Sequence, residues 1–188
     1  AVMRSLPNMM VVCPGDPWEV EQATKAMVKT NGPAYLRIGK KGEPKLHSKK
    51  SRFILGRGIL MREGGDLTII STGNMLEEAV EVVDKLKKKG LAARLVSMHT
   101  VKPLDEKLVT DSAKTTGAIF TLEEHSTIGG LGSAVAGIIA ENGLKVKFHS
   151  FGVNDKFTKM AGSGNYLRDV NDLSVEKIVK MIKDRISS

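Results

Sequence analysis

Thr121–Gly137 reads TLEEHSTIGGLGSAVAG, and this stretch decides the fold class. An apolar, β-branched run from Gly117 to Leu122 leads into it and ends in two glutamates and a histidine. The glycines Gly129, Gly130 and Gly132 form a turn, and a helix of small residues is predicted to open at Ser133. Strand, loop and helix N-terminus in that order mark the working edge of an open α/β sheet. The unpaired N–H groups of such a helix start attract an anion. Equally, the glycines serve close packing of helix on strand. The dinucleotide fingerprint fails here, because Val135 stands where a small residue is required.

Outward from this unit the same alternation repeats. Leu67–Ser71 reads as a strand preceded by Ile59–Met61, with Glu63-Gly-Gly-Asp66 as a hairpin turn between them. Asn74 is placed to cap a helix over Met75–Lys89, with Leu76, Ala79, Val80, Val83 and Leu86 on its apolar face and Gly90 ending it. A strand over Ala93–Met98, a helix over Pro103–Lys114, a strand over Ala118–Leu122, a helix over Ser133–Glu141 and a strand over Val146–Phe151 follow. Ser174 opens a last helix that buries Val175, Ile178, Val179 and Ile182. The prediction is an α/β fold: a mostly parallel open sheet with helices on both faces.

Toward the N-terminus, Met9–Pro14 and Ala34–Ile38 read as strands. Between them lies a helix capped by Asp16, with Pro17 at its first position, Glu19 in its first turn, and Val20, Ala23, Met27 and Val28 near helical spacing. This is a right-handed parallel crossover unit. About 40 residues cannot close a core alone, so the chain is expected to begin in mid-domain. The expected organisation is 1–40 as a domain remnant, 41–58 as a linker rich in Gly, Pro and Lys, and 59–188 as a complete domain.

The 188 residues carry a net charge of +8, 41% hydrophobic and 27% charged residues. The lysines are dispersed and aromatics make up only 4% of the chain, which argues against a nucleic-acid stacking surface. No apolar stretch reaches membrane-spanning length and no signal pattern is present. Cys13 is the only cysteine, which excludes an internal disulfide and fits a reducing, cytoplasmic compartment.

A metal site is not indicated: His47, His99, His125 and His149 lack close His or Cys pairing. Gly32–Lys40 resembles a phosphate loop only superficially, since six residues separate its glycines and Lys41 replaces the magnesium-binding hydroxyl. Ser163, in Gly162-Ser-Gly164, lacks the frame of a hydrolase nucleophile and reads as a loop residue. Glu123 and Glu124 are adjacent on a strand and face opposite ways, so they do not form an acid/base pair; one of them is free to bond nearby backbone. No catalytic constellation is found.

Several segments together resemble the C-terminal part of the thiamine diphosphate-dependent transketolase family: MRSLPNM (Met3–Met9), PGDPWE (Pro14–Glu19), Gly32-Pro33, TVKPLD (Thr100–Asp105), LEEH (Leu122–His125) and GGLGSA (Gly129–Ala134). Their order and spacing cover nearly the whole chain. The resemblance implies that 1–40 ends a pyrimidine-binding domain and that 59–188 is the family's C-terminal domain. It also implies that the cofactor-activating glutamate, the aromatic pocket and the metal-diphosphate motif lie upstream. Thiamine diphosphate and magnesium then belong to the complete enzyme, and none is expected on this chain, which alone is expected to be inactive. The family holds sugar phosphate with a basic residue after the strand that follows Gly-Pro. Counting from Pro33 places Lys40 there, with Arg37 as second candidate, although the family usually has arginine at the Lys40 position. The implied activity is transfer of two-carbon ketol units between sugar phosphates in the pentose phosphate pathway. The implied partners are the upstream part of the enzyme and a second copy in a homodimer. Two alternatives stay open. One is the C-terminal part of a deoxyxylulose-phosphate synthase or of a 2-oxo acid dehydrogenase beta subunit. The other is a non-catalytic dimerisation or regulatory module.

Overall fold

The computed structural model describes residues 1–39, 42–48 and 51–187. In chain order its elements are α1 (Val2–Ser5), β1 (Met10–Val12), α2 (Pro17–Met27), β2 (Ala34–Leu36), β3 (Ile59–Arg62), β4 (Leu67–Ser71), α3 (Leu76–Lys88), β5 (Ala93–Ser97), β6 (Thr100–Lys102), α4 (Glu106–Thr116), β7 (Ala118–Ser126), α5 (Leu131–Glu141), β8 (Lys147–Val153), α6 (Gly164–Val170) and α7 (Val175–Ser187). No helix among the described residues is long and apolar enough to cross a membrane.

The larger sheet has the order β3-β5-β4-β7-β8, parallel except for edge strand β3. Its central strand β4, LTIIS, is buried along its whole length, as a strand covered on both faces must be. Alternation sends Leu67 and Ile69 to one face, against Leu86 of α3 and Ile178 and Ile182 of α7. Ile70 goes to the other, against Val109 of α4 and Leu131, Val135 and Ile138 of α5. Each such side chain contributes about 2 kcal/mol through burial.

The smaller sheet has the order β2-β1-β6. β1 and β2 pair in parallel, with Met10 opposite Ala34, and α2 makes the crossover. Asp16 caps α2 by accepting from Glu19 N at 2.7 Å. The apolar face of α2 is poorly covered: Ala23 is buried, but Val28, just past its end, is 82% exposed. The third strand, β6, comes from far along the chain and runs antiparallel to β1, with Val12 opposite Thr100. The expectation missed this strand because its three residues are paired only through a contact nearly 90 positions away.

The described residues of 42–58 contain no helix or strand, yet they are fixed at three points. His47 is buried, with its ring stacked on Trp18 at 4.9 Å, and Leu46 N and His47 N donate to Asp16 Oδ2 at 2.8 and 3.0 Å. Phe53 stacks on His99 at 4.0 Å. Arg57 and Gly58 N reach the carboxylate of Asp105, which also caps α4.

Five local expectations need correction. Glu63–Asp66 does not make a hairpin, because β3 pairs with β5, not with β4; Asp66 instead exchanges hydrogen bonds with Ala92 ahead of β5. Asn74 does not cap α3: Gly73 N is drawn to Cys13 O at 3.0 Å, and Gly73–Met75 form a 3₁₀ turn with Asn74 inside it. The buried face of α3 also takes in Val82, while Val80 packs at its margin. Helix α5 opens at Leu131, two residues before Ser133. Ser163 is not in a free loop but caps α6, accepting from Tyr166 N at 3.3 Å.

Candidate functional site

The C-terminal ends of β1, β2, β4 and β7 meet where the two sheets adjoin, the position at which open α/β sheets form a crevice. Backbone bonds lock the junction: Cys13 N donates to His99 O at 2.7 Å, Gly73 N to Cys13 O, and Thr72 N to Leu122 O at 3.1 Å. Thr72 Oγ1 donates to Met98 O at 2.8 Å. Two cavities open there. The larger, about 280 Å³, is lined by residues that include Met3, Arg4, Tyr35, Glu123, His125 and Leu131. The smaller, about 160 Å³, is lined by Ile38, Gly39, Gly73, Asn74 and Glu124. Cys13, Arg37 and Thr72 line both.

Arg37 is therefore at the junction. Its backbone N donates to Val12 O at 2.9 Å, and its Nη2 donates to Glu124 O at 3.0 Å. A guanidinium has five N–H donors in a fixed fork, so this bond fixes the group without exhausting it. The Glu124 carboxylate lies 3.4 Å from Arg168 Nε, and Arg168 in turn pairs with Glu78. Lys40, the other candidate, lies outside the described residues. The structure thus brings one of the two predicted residues to the crevice wall.

The glutamates diverge as strand alternation requires. Glu123, 2% exposed, accepts from Leu131 N at 2.7 Å and Gly132 N at 2.8 Å, so the anion at the start of α5 is the chain's own carboxylate. Burial pushes its pKa up, against the pull of those two N–H groups. Arg4 donates to Gly129 O and Gly130 O and ties the glycine turn down from outside. His125 donates from Nδ1 to Ser126 O at 2.8 Å. The other histidines are elsewhere. His47 has Nδ1 3.0 Å from Asp16 Oδ2 and Nε2 3.2 Å from Glu19 Oε1. Burial pushes His99 down to about 3, which keeps it neutral.

Cys13, Thr72 and Asn74 were not identified as site residues from sequence; the only signal was a threonine-glycine pair at a strand end. Burial pushes the Cys13 thiol up to about 11, with Arg37 pulling only weakly the other way. At pH 8 the native thiol is expected to react with an aromatic disulfide reagent about two orders of magnitude more slowly than in the urea-unfolded chain, since only the thiolate attacks. Equal absorbance kinetics in the two states would contradict this.

A parallel α/β domain with its crevice at a junction with a second sheet is the class defined so far. The chain belongs to the transketolase family: residues 56–178 match the model for "Transketolase, C-terminal domain". It is 36% identical over 188 residues to a putative transketolase C-terminal section from Methanocaldococcus jannaschii, covering 99% of this chain and 58% of that protein. It is 38% identical over 180 residues to the 6-deoxy-6-sulfo-D-fructose transketolase subunit SqwH of Clostridium sp. strain MSTE9, covering 96% of this chain and 55% of that protein. Among solved structures it is similar to a split gene transketolase described as an inactive beta4 tetramer. The TM-score there is 0.93 at 38% identity, over 99% of this chain and 60% of that one. The chain spans a little more than half the length of these relatives.

The family uses thiamine diphosphate, and the residues here do not fit that group and its metal. Among the described residues no three His, Cys, Asp or Glu side chains are arranged to hold a metal ion. The carboxylates at the two cavities, Glu123 and Glu124, are engaged by backbone N–H groups and by Arg168.

Proposed function

We propose that this chain is the C-terminal part of a transketolase, the complete enzyme moving two-carbon ketol units between sugar phosphates. The upstream part supplies thiamine diphosphate, its metal and the catalytic groups. Residues 1–40 complete its pyrimidine-binding domain, 41–58 form the connection, and 59–188 are the C-terminal domain that braces both. This chain's contribution to substrate is charge: Arg37 and Lys40 hold the phosphate. The observation that carries the reading is the Arg37 guanidinium, which is fixed by Glu124 O on the wall of both cavities and sits three residues from Lys40. The fork suits a phosphate and the lysine adds a point charge.

The test is reconstitution. The chain is combined with the upstream part of the enzyme, and ketol transfer is assayed with phosphorylated and unphosphorylated acceptors. Arg37→Met is expected to raise KM for the phosphorylated acceptor about 10- to 100-fold, about 1.4–2.8 kcal/mol at a tenfold per 1.4 kcal/mol. KM for the unphosphorylated acceptor should stay unchanged. Equal effects on both acceptors would remove Arg37 from the phosphate site, and no activity with any upstream partner would remove the transferase reading.

A further inference from the structure

The smaller cavity has more to offer an anion than Arg37. Its volume, about 160 Å³, equals roughly five water molecules at ~30 Å³ each, enough for a phosphate group. Most of the polar side chains on its wall are already committed. The Thr72 hydroxyl hydrogen goes to Met98 O. Glu124 only accepts, and its carboxylate is turned to Arg168. The Cys13 thiol is a weak donor. Two side-chain donors remain: the unused N–H groups of Arg37 and the carboxamide of Asn74.

The position of Asn74 follows from its neighbours. The 3₁₀ turn Gly73–Met75 is held by the bond from Gly73 N to Cys13 O, and this presents residue 74 to the crevice. The carboxamide lies directly on the backbone of Gly39, with the Glu43 carboxylate beside it: a Cβ built at Gly39 would fall 2.3 Å from Asn74 Oδ1 and 2.1 Å from Glu43 Oε1. It therefore sits beside the segment Arg37–Gly39. Rotation about its terminal torsion turns Nδ2 to the same side.

We propose that Asn74 is a second, uncharged ligand for the anion that Arg37 binds, donating from Nδ2 to an oxygen of a phosphate monoester. This rests on the phosphate reading of Arg37 and assigns to the C-terminal domain a direct contact with the phosphorylated end of the substrate. Asn74 is then a specificity-determining residue: a neutral donor at this point favours a tetrahedral oxyanion, and a carboxylate in its place repels one.

The experiment is a titration of the isotopically labelled full chain with inorganic phosphate at constant ionic strength, followed by NMR at the Asn74 side-chain amide and the Arg37 Nε–H. Both signals are expected to move with one midpoint. Asn74→Asp should weaken phosphate at least tenfold and Asn74→Ala severalfold, with Asn74→Ser between wild type and Ala. Backbone spectra that superimpose away from the crevice show that the variants are folded. Lys180→Gln, on the far side of the domain, should leave the midpoint unchanged. If Arg37→Met abolishes the response but Asn74→Asp and Asn74→Ala bind as wild type does, the Asn74 assignment is overturned while the Arg37 reading stands. If wild type shows no saturable response, or one that Arg37→Met does not weaken, both are overturned.

Discussion

Replacing Asp16 by alanine is expected to lower the free energy of unfolding by about 4 kcal/mol. One carboxylate does three jobs. Oδ1 caps α2 at Glu19 N, and loss of an N-cap costs ~1 kcal/mol. Oδ2 accepts from Leu46 N and His47 N, and stranding two buried donors costs ~1–3 kcal/mol. The same oxygen faces His47 Nδ1. Urea denaturation measures the sum, and a loss below 1 kcal/mol would show that the 42–48 segment is not anchored here. The pH dependence has a definite sign. Burial alone pushes the Asp16 carboxyl up, but the His47 ring and the N–H groups of Glu19, His47 and Leu46 outweigh it and hold it at about 2. A folded pKa below the ordinary value of 3.8 means that the stabilisation is complete above about pH 4 and is lost as pH falls toward 2. At 1.36 kcal/mol per unit this amounts to about 2 kcal/mol. Glu19 works in the opposite sense, since burial raises its pKa. The difference between wild type and Asp16→Ala therefore isolates the Asp16 contribution, and it should shrink below pH 4.

The second large effect is expected at Gly130. An alanine Cβ would stand 2.0 Å from Glu123 Oε2, and that carboxylate is fixed by two N–H bonds at the start of α5. To make room it must leave Leu131 N and Gly132 N, so Gly130→Ala should destabilise by about 3 kcal/mol, the range for a buried charged group that loses its donors. Glu123→Ala should cost a similar amount. The double variant decides the mechanism. Without the carboxylate the methyl group has space, so Glu123→Ala with Gly130→Ala should be little worse than Glu123→Ala alone, a coupling of ~2 kcal/mol. Additive losses in thermal unfolding would mean that the clash is not the cause.

The layered sheet was legible in the sequence because its evidence is local: apolar runs such as Leu67–Ser71, caps such as Asp16, and helix stops such as Gly90. What was hidden is non-local. The Glu63–Asp66 turn signal is real, but strand partners are set by burial across the sheet, which puts β5 between β3 and β4. Asn74 resembles a cap, and only the pull of Cys13 on Gly73 places it inside a turn. The seven-residue α6 is too short for its periodicity to show. At the crevice, Arg37 was reached through resemblance. That Glu123 satisfies the helix start, which otherwise reads as an open anion site, depends on a contact eight residues on. His47, in a stretch whose composition reads as a linker, is buried because Trp18, Asp16 and Glu19 surround it, and nothing near it in sequence announces that.

The antiparallel partner that β6 provides for β1 has a consequence for anyone recombining such genes. A crossover placed in the glycine- and lysine-rich stretch after residue 40 falls between elements on the linear map, yet the offspring would inherit two strands of the small sheet from one parent and the third from the other. Thr100–Lys102 and Met10–Val12 must travel together, so compatibility between parents is decided at a seam that a map of modules along the gene does not mark.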